Sequence, residues 1–410
     1  MLLSYSVSNF LSIKDKVTLS FEVKNDKEKP QNLIETVDKN KEKIKLLKGL
    51  FLFGANASGK SNVLKSFSLL MRLLYLGPEY TLPNGKPTYI KNIHHFFQED
   101  SKEKPTEFEV RFLLDGEKYK FELAYFEGIF VWEKLSVYKG ARAVNIYSVK
   151  DGKLVLGQML TEKEKILLRK NYTWANGKTF LNAIFRERQK DLEFFLKVWS
   201  SLTSNAVFIR VPENFYSDTD TINYIMCGDK EKTAVLNLLR DADHAIKDIV
   251  IKQVDEKHVD VYFAYDINGK RVLIDLGNES TGTRRLFNMA AVFLSAAADW
   301  KNNGVLVIDE IDDSLHPSMV RAIISYLLNN MQGVQLIASL HYTGIMDKLR
   351  RDQVVLVEKD RKTLATSVST MADFTGVRKD LKKEKAYLEG FFGAVPYLTL
   401  SDDFEEDDEE

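Results

Sequence analysis

The chain has 410 residues, 44% of them hydrophobic and 29% charged, with a formal net charge of −1. That length exceeds one small domain and leaves ample capacity for a buried core, so a head domain with an inserted subdomain is expected. A single cysteine, Cys227, excludes an internal disulfide and a cysteine-rich zinc site; no run nears the roughly 18 apolar residues of a membrane span, and no basic stretch precedes an apolar core at the N-terminus, so a cytoplasmic protein with no membrane partner is expected.

From the N-terminus, Leu2 to Val7 and Val17 to Val23 alternate apolar and polar residues at strand period, with a turn around Ser12 to Asp15. The polar, lysine-rich stretch from Lys24 to Lys45 reads as a loop. Leu50 to Phe53 is an uncharged apolar run of the kind that forms a buried parallel strand. It leads into Gly54 to Ser61, GANASGKS, which matches G-x-x-x-x-G-K-[ST]. An amphipathic helix follows from Lys60 to about Tyr75, where Gly77 and Pro78 stop it.

Strand, glycine loop and helix stand in the order that a phosphate-binding loop requires. Backbone N–H groups of such a loop and of the helix behind it point at bound phosphates, and Gly54 and Gly59 permit the close approach. Lys60 is placed to reach the β- and γ-phosphates of ATP, and the Ser61 hydroxyl to ligate Mg²⁺. Asn56, Ser58 and Asn62 of GANASGKSN complete the expected nucleotide-binding set.

After Pro105, Glu107 to Leu114, Tyr119 to Tyr125 and Ile129 to Tyr138 alternate with turns at Asp115-Gly116 and Glu127-Gly128, a β-meander that Val144 to Val149 extends. Glu162 to Leu202 is helical apart from a break at Asn176-Gly177, with Phe185, Leu192, Phe195 and Trp199 forming a core stripe at helical spacing. Ala206 to Val211 reads as a returning strand, Lys230 to Arg240 as a helix and Ile246 to Asp275 as three strands. Thr281 to Trp300 is helical. Val305 to Ile308, Gln335 to Ala338 and Val354 to Val357 are buried strands linked by helices, which complete a parallel sheet. The last ten residues hold eight acids and no base, leaving 51 of the 59 acids against 58 bases in the rest of the chain. A mildly basic body permits contact with nucleic acid without demanding it, and the acidic tail reads as a solvated, disordered end.

Three further motifs lie in the second half. Gly304 to Glu310, GVLVIDE, is an apolar strand ending in two acids; at a strand tip Asp309 can hold Mg²⁺ through water, and Glu310 can orient and deprotonate an attacking water. Within Asn278 to Leu286, NESTGTRRL, Ser280, Gly282 and Thr283 stand at a helix start, an end that favours anions. Alone this would be a serine N-cap. Gln335 to His341, QLIASLH, puts His341 just past a strand tip, where it can contact the γ-phosphate and report its presence.

Together VSNFLSIKD, GANASGKSN, ESTGTRRL, VIDEIDDSLHP, LRRDQVVLVEKD and the ending VRKDLKKEKAYLEGFFGAVPYL resemble the abortive-infection ATPases, the RloA-like branch of ABC-type heads related to OLD, RecF and SMC proteins. The expected fold class is α/β, a P-loop NTPase ABC-type head with an antiparallel β-lobe and a helical insertion. Its parts are the N-terminal half of the head in 1–160, the helical insertion in 161–245, the C-terminal half in 246–400 and the acidic tail in 401–410. The resemblance implies that Lys60 and Ser61 form Walker A, Asp309 and Glu310 Walker B, and Ser280 and Gly282 the signature, with Ser314 in the D-loop and His341 as the switch histidine. It also implies that Asn9 and Phe10 lie near the nucleotide. Such heads usually carry Thr-Thr-His-Asp where this chain has Ser339-Leu340-His341-Tyr342; the Q-loop is not identified, and Gln98 reads equally as a candidate for it and as an ordinary loop glutamine.

By the same resemblance, two heads pair head to tail as a homodimer or within a higher oligomer. The ATPase then regulates a separately encoded effector, such as a nuclease, in answer to a phage protein trigger. Too few residues follow Asp360 for a further domain of typical size. A RecF-like DNA-binding repair ATPase stays open as the alternative. A transporter ATPase subunit is disfavoured by the size of the meander and the insertion.

Overall fold

The computed structural model describes residues 1–24, 27–82, 86–91, 93–95, 99–170, 177–187, 190–203, 206–209, 218–255, 258–298, 304–331, 333–375 and 381–396. Gln98, Trp300 and the acidic tail lie outside these residues. The chain opens with β1 (Leu2–Ser8) and β2 (Val17–Ser20), paired antiparallel about a turn that a Phe10–Ile13 bridge closes. Where the lysine-rich composition predicts a loop, β3 (Leu33–Val37) and β4 (Lys43–Leu47) form a hairpin. The Asp38 carboxylate accepts from the amides of Asn40 and Glu42 at 2.8 Å each and so shapes its turn, while Leu33 and Leu47 turn inward.

Next come β5 (Gly49–Phe53), α1 (Lys60–Tyr75) and the short pair β6 (Glu79–Thr81) and β7 (Pro87–Tyr89). The predicted meander is β8 (Thr106–Leu114), β9 (Glu117–Phe126), β10 (Ile129–Lys139), β11 (Arg142–Lys150) and β12 (Lys153–Leu156). Helices α2 (Glu162–Lys170), α3 (Phe180–Glu187) and α4 (Glu193–Thr203) precede β13 (Ala206–Ile209), α5 (Thr219–Met226) and α6 (Asp229–Ala242). Strands β14 (Asp248–Gln253), β15 (Val259–Ile267) and β16 (Lys270–Asp275) make a separate antiparallel sheet. The remainder is α7 (Thr281–Ala298), β17 (Gly304–Ile308), α8 (Pro317–Asn330), β18 (Val334–Ser339), β19 (Val354–Lys359), β20 (Thr366–Thr370) and α9 (Lys383–Leu388).

Two sheets organise these elements. The first has seven strands in the order β12-β11-β10-β9-β8-β1-β2, so the N-terminal strands continue the meander, with β1 set against β8 and Val7 opposite Phe108. The second has six strands in the order β13-β17-β18-β5-β19-β20 and is parallel except for β20, which returns antiparallel on β19. Strand alternation assigns its side chains to two cores. Leu50, Leu52, Val305, Val307, Ile337, Val355 and Val357 face α1 and the antiparallel sheet, where Tyr5, Val7, Phe67, Leu70, Phe108 and Phe121 are buried. Phe51, Phe53, Leu306, Ile308, Leu336, Ala338 and Leu356 face the opposite core with α5 to α8.

One side chain stitches the sheets together. Buried Gln335 on β18 imitates a strand backbone: its Oε1 accepts from Leu2 N at 2.8 Å and its Nε2 donates to Leu2 O at 2.9 Å. The apolar faces of the helices of 161–245 go to different cores. Leu168, Leu181, Phe195 and Trp199 of α2 to α4 join the α1 core, whereas Ile222, Ile225, Val235 and Leu239 of α5 and α6 join the other. Among the described residues, no helix is long and apolar enough to cross a membrane. The fold class is the one the sequence predicts: α/β, a P-loop NTPase head with a large antiparallel β-lobe.

Candidate functional site

The loop of residues 54–59 connects the central strand β5 to α1 and is held by contacts from far along the chain. A Cβ on Gly54 would lie 2.2 Å from the Val357 carbonyl oxygen, and one on Gly59 (φ 109°) would lie 2.1 Å from Thr366 Oγ1. Any side chain at either position would push the loop off β19 or β20, which gives the two glycines a steric reason of their own. Thr366 Oγ1 donates to Ser58 O at 2.9 Å and lies 2.8 Å from Ser12 Oγ, whose hydroxyl can donate to it, and Asn62 Nδ2 donates to the same Ser12 Oγ at 2.8 Å. From the other side Ala55 N donates to Ala394 O at 3.0 Å, and Tyr387 Oη donates to that same carbonyl at 2.9 Å. Ser12, Thr366 and Ala394 are therefore site residues that sequence reasoning missed; a lone serine or threonine in a turn carries no motif.

Lys60 is buried, 6% exposed, and its ammonium donates to Gly54 O at 2.8 Å and Ala55 O at 3.0 Å. Burial lowers its pKa, while Asp309, Glu310 and Asp312 pull it upward. Those three carboxylates belong to the turn after β17, two strands from β5 across β18. Asp309 is buried at the strand tip, and Ser339 Oγ at the tip of β18 donates to its Oδ1 at 2.6 Å while accepting from Glu310 N at 2.6 Å. Adjacent parallel strands end level here because Ile308 pairs with Ala338. His341 Nε2 lies 3.8 Å from Glu310 Oε1, and Asp312 Oδ2 fixes the histidine's backbone by accepting from His341 N at 2.7 Å and Tyr342 N at 2.5 Å.

The structure thus gathers Gly54, Gly59, Lys60, Asp309, Glu310 and His341 along the C-terminal edge of the parallel sheet, with Ser61 and Asn62 in the first turn of α1. This is the edge where open α/β sheets bind ligands. Asn56 is exposed on the loop. Ser58 is buried, and its Oγ has no hydrogen-bond partner among the described residues. A glycine loop at a helix start, a buried ammonium and a buried strand-tip carboxylate that acts on it electrostatically suit a magnesium-bound triphosphate. Among the described residues no group of three or more His, Cys, Asp or Glu could hold a metal by itself. A divalent ion would therefore bind through the phosphates together with Ser61 and Asp309.

Asn9 and Phe10, expected near the nucleotide, have the following surroundings. Asn9 (φ 50°) is buried, and its amide donates to Ser101 O at 3.0 Å and Lys104 O at 2.8 Å while its Oδ1 accepts from His95 N at 3.0 Å. Phe10 is buried in the α1 core. Asn9 therefore ties down the segment before β8, and the neighbour that touches the phosphate loop is Ser12.

Ser280, Gly282 and Thr283 open α7. Ser280 Oγ accepts from Thr283 N at 3.1 Å and lies 2.8 Å from Thr283 Oγ1, a serine N-cap on an exposed helix end. Among the described residues no hydrogen bond or ion pair joins Ser280, Gly282 or Thr283 to the loop of Gly54 to Ser61 of the same chain. Gly282 packs on the turn after β17, where a Cβ at this position would lie 2.6 Å from the carbonyl oxygen of exposed Ser314.

Residues 50–347, which run from β5 through His341, match a family described as an AAA domain, putative AbiEii toxin, Type IV TA system. Among curated proteins, none matches the chain. Solved structures similar to this chain include the SMC head domain from Thermotoga maritima, 12% identical, covering 90% of this chain and 98% of that one at a TM-score of 0.40. The SmcHead bound to the C-winged helix domain of ScpA is 13% identical, covering 90% and 97%, also at 0.40. The Smc head domain with an extended coiled coil, bound to the C-terminal domain of ScpA derived from Pyrococcus furiosus, is 12% identical, covering 90% and 96%, again at 0.40. Since the family match takes in the phosphate loop, the start of α7, both strand-tip acids and His341, the chain belongs to that AAA-domain family.

Proposed function

We propose that this chain binds and hydrolyses magnesium-ATP at a composite site, in which the phosphate loop of one copy meets the α7 start of a second. The observation that carries this reading is the gathering of buried Lys60 and Asp309 with Glu310 and exposed His341 on one sheet edge, with Ser280 at an exposed helix end that has no hydrogen bond or ion pair to its own loop among the described residues. The triphosphate supplies a bond whose cleavage needs charge neutralisation and an in-line water. Lys60 exchanges its two loop carbonyls for phosphate oxygens, Ser61 and Asp309 hold the cation, and Glu310 accepts the proton of the attacking water. His341, its backbone fixed by Asp312, reads the γ-phosphate beside Glu310. Ser280 and the α7 amides close over the nucleotide of the other copy, as a helix N-terminus favours anions.

The nucleotide state then sets whether two copies are closed together, and we infer that this shape change regulates a separately encoded effector in an anti-phage system. The family's description names a Type IV TA system, which is compatible with a chain that works alongside a second gene product. Glu310→Gln should retain nucleotide and lose turnover by at least about a hundredfold; undiminished hydrolysis would reject the assignment. Pull-down with the product of the neighbouring gene tests the effector. ATPase activity that requires DNA, with binding that falls steeply with salt, would replace the effector role by a RecF-like one.

A further inference from the structure

Within one chain, the start of α7 and the turn after β17 are joined by two close approaches. Arg285, only 8% exposed, donates through Nη2 to the Glu310 carbonyl, and its Nη1 lies 2.6 Å from Asp313 Oδ2. On the same helix Gly282 packs against the Ser314 carbonyl, leaving no room for a side chain. The bracketed turn is itself strained: Glu310 (φ 52°) and Ser314 (φ 58°) both hold left-handed backbone. Non-glycine residues persist in that region only where their surroundings impose it, and such positions cluster at ligand clamps and switches.

Stability alone does not explain an arginine here. Its Nε finds no hydrogen-bond acceptor among the described residues, and a buried ion pair is often matched or bettered by an apolar side chain of similar volume. What the guanidinium does achieve is a rigid link between two functional groups. Its stem belongs to the helix whose exposed Ser280 end is offered to a second copy, and its donors grip the residue that carries the candidate base.

Resting on the composite site proposed above, we propose that Arg285 is a positioning residue that makes hydrolysis at one nucleotide depend on engagement of the other. When the α7 end closes on the partner's phosphate, the guanidinium carries the Glu310 carbonyl with it. In a left-handed residue, rotating that carbonyl re-aims the carboxylate, which lies 3.8 Å from His341. Glu310 reaches its working position only in a chain whose own signature end is occupied.

The test is steady-state ATP hydrolysis by the full chain, with binding of a non-hydrolysable ATP analogue measured alongside. Wild type should show a Hill coefficient above one. Arg285→Ala should bind the analogue within about twofold of wild type, lose kcat by about ten- to a hundredfold, as expected for a misplaced catalytic group, and fall toward a Hill coefficient of one. Arg285→Lys, which cannot grip carbonyl and carboxylate together, should restore part of kcat without restoring cooperativity. Should Arg285→Ala fail to fold, Asp313→Asn decides: its side chain is exposed, and cooperativity should fall with the melting temperature unchanged. The inference is overturned if cooperativity survives these changes, if lysine restores kcat and cooperativity in full, or if wild type hydrolyses ATP without cooperativity; in each case the ATPase reading stands. Absence of hydrolysis in wild type would overturn both.

Discussion

Lys60 pairs with carbonyls of its own loop, Gly54 O and Ala55 O, and among the described residues it makes no ion pair with a carboxylate. A phosphate entering the loop therefore finds an ammonium whose present partners are neutral, and charge-assisted bonds replace ordinary ones. Lys60→Ala should weaken ATP binding by about ten- to a hundredfold, the worth of one hydrogen bond to a charged group, as measured by titration calorimetry. Glu133 is a different case, a fully buried carboxyl on β10 that accepts from Tyr147 Oη at 2.6 Å, Phe180 N at 2.6 Å and Leu181 N at 3.0 Å and so docks the start of α3. Burial raises its pKa from 4.5 to about 7, against the pull of those three donors. The folded state thus favours the protonated group: its contribution is complete below pH 4.5 and is lost as pH rises through about 7, by an amount on the order of 3 kcal/mol. Glu133→Gln should flatten that dependence. Melting temperatures of both proteins between about pH 5 and pH 8 check it, and parallel profiles would show that the group does not titrate in this range.

Among the elements, those with one uninterrupted local signal are legible in the sequence. β5, the loop and α1 follow from an apolar run, two glycines and a helical period, and the meander follows from alternation punctuated by Asp-Gly and Glu-Gly turns. The hairpin of β3 and β4 is not, since its strands are short, half polar and lysine-rich, and its turn depends on one carboxylate. Nor does any local pattern announce that β1 pairs with β8, a hundred residues on, in preference to the parallel sheet. The Gln335 stitch is equally silent, because a glutamine inside an apolar strand looks like a surface residue until Leu2 is set against it. Gln335→Leu should cost about 2–5 kcal/mol, as two buried backbone groups of Leu2 lose their partners, and the shift in denaturant midpoint measures it. The site follows the same division. Glycines, lysine and strand-tip acids declare themselves by spacing, while the contacts of Ser12, Arg285 and Thr366 exist only in three dimensions.

For the whole molecule, the proposed function takes a dimer as its working unit, since among the described residues no hydrogen bond or ion pair joins the Ser280 end to its own phosphate loop. In a Glu310→Gln background, magnesium-ATP should shift the protein to about twice its monomer mass in light scattering. Adding Ser280→Asp should abolish that shift without lowering the melting temperature. Aspartate caps a helix as well as serine does, but its charge repels a γ-phosphate. A dimer that survives this substitution would mean that α7 does not meet the second nucleotide.

The supports of the phosphate loop also bear on how the protein is made. Ser12 is synthesised before the loop, but Thr366 and Ala394, which complete its grip, follow about 300 residues later. At translation rates of about 5–20 residues per second, GANASGKS is outside the ribosome for tens of seconds before those props arrive. A nascent chain stalled in that interval would carry the entire motif without the two distant contacts that brace it.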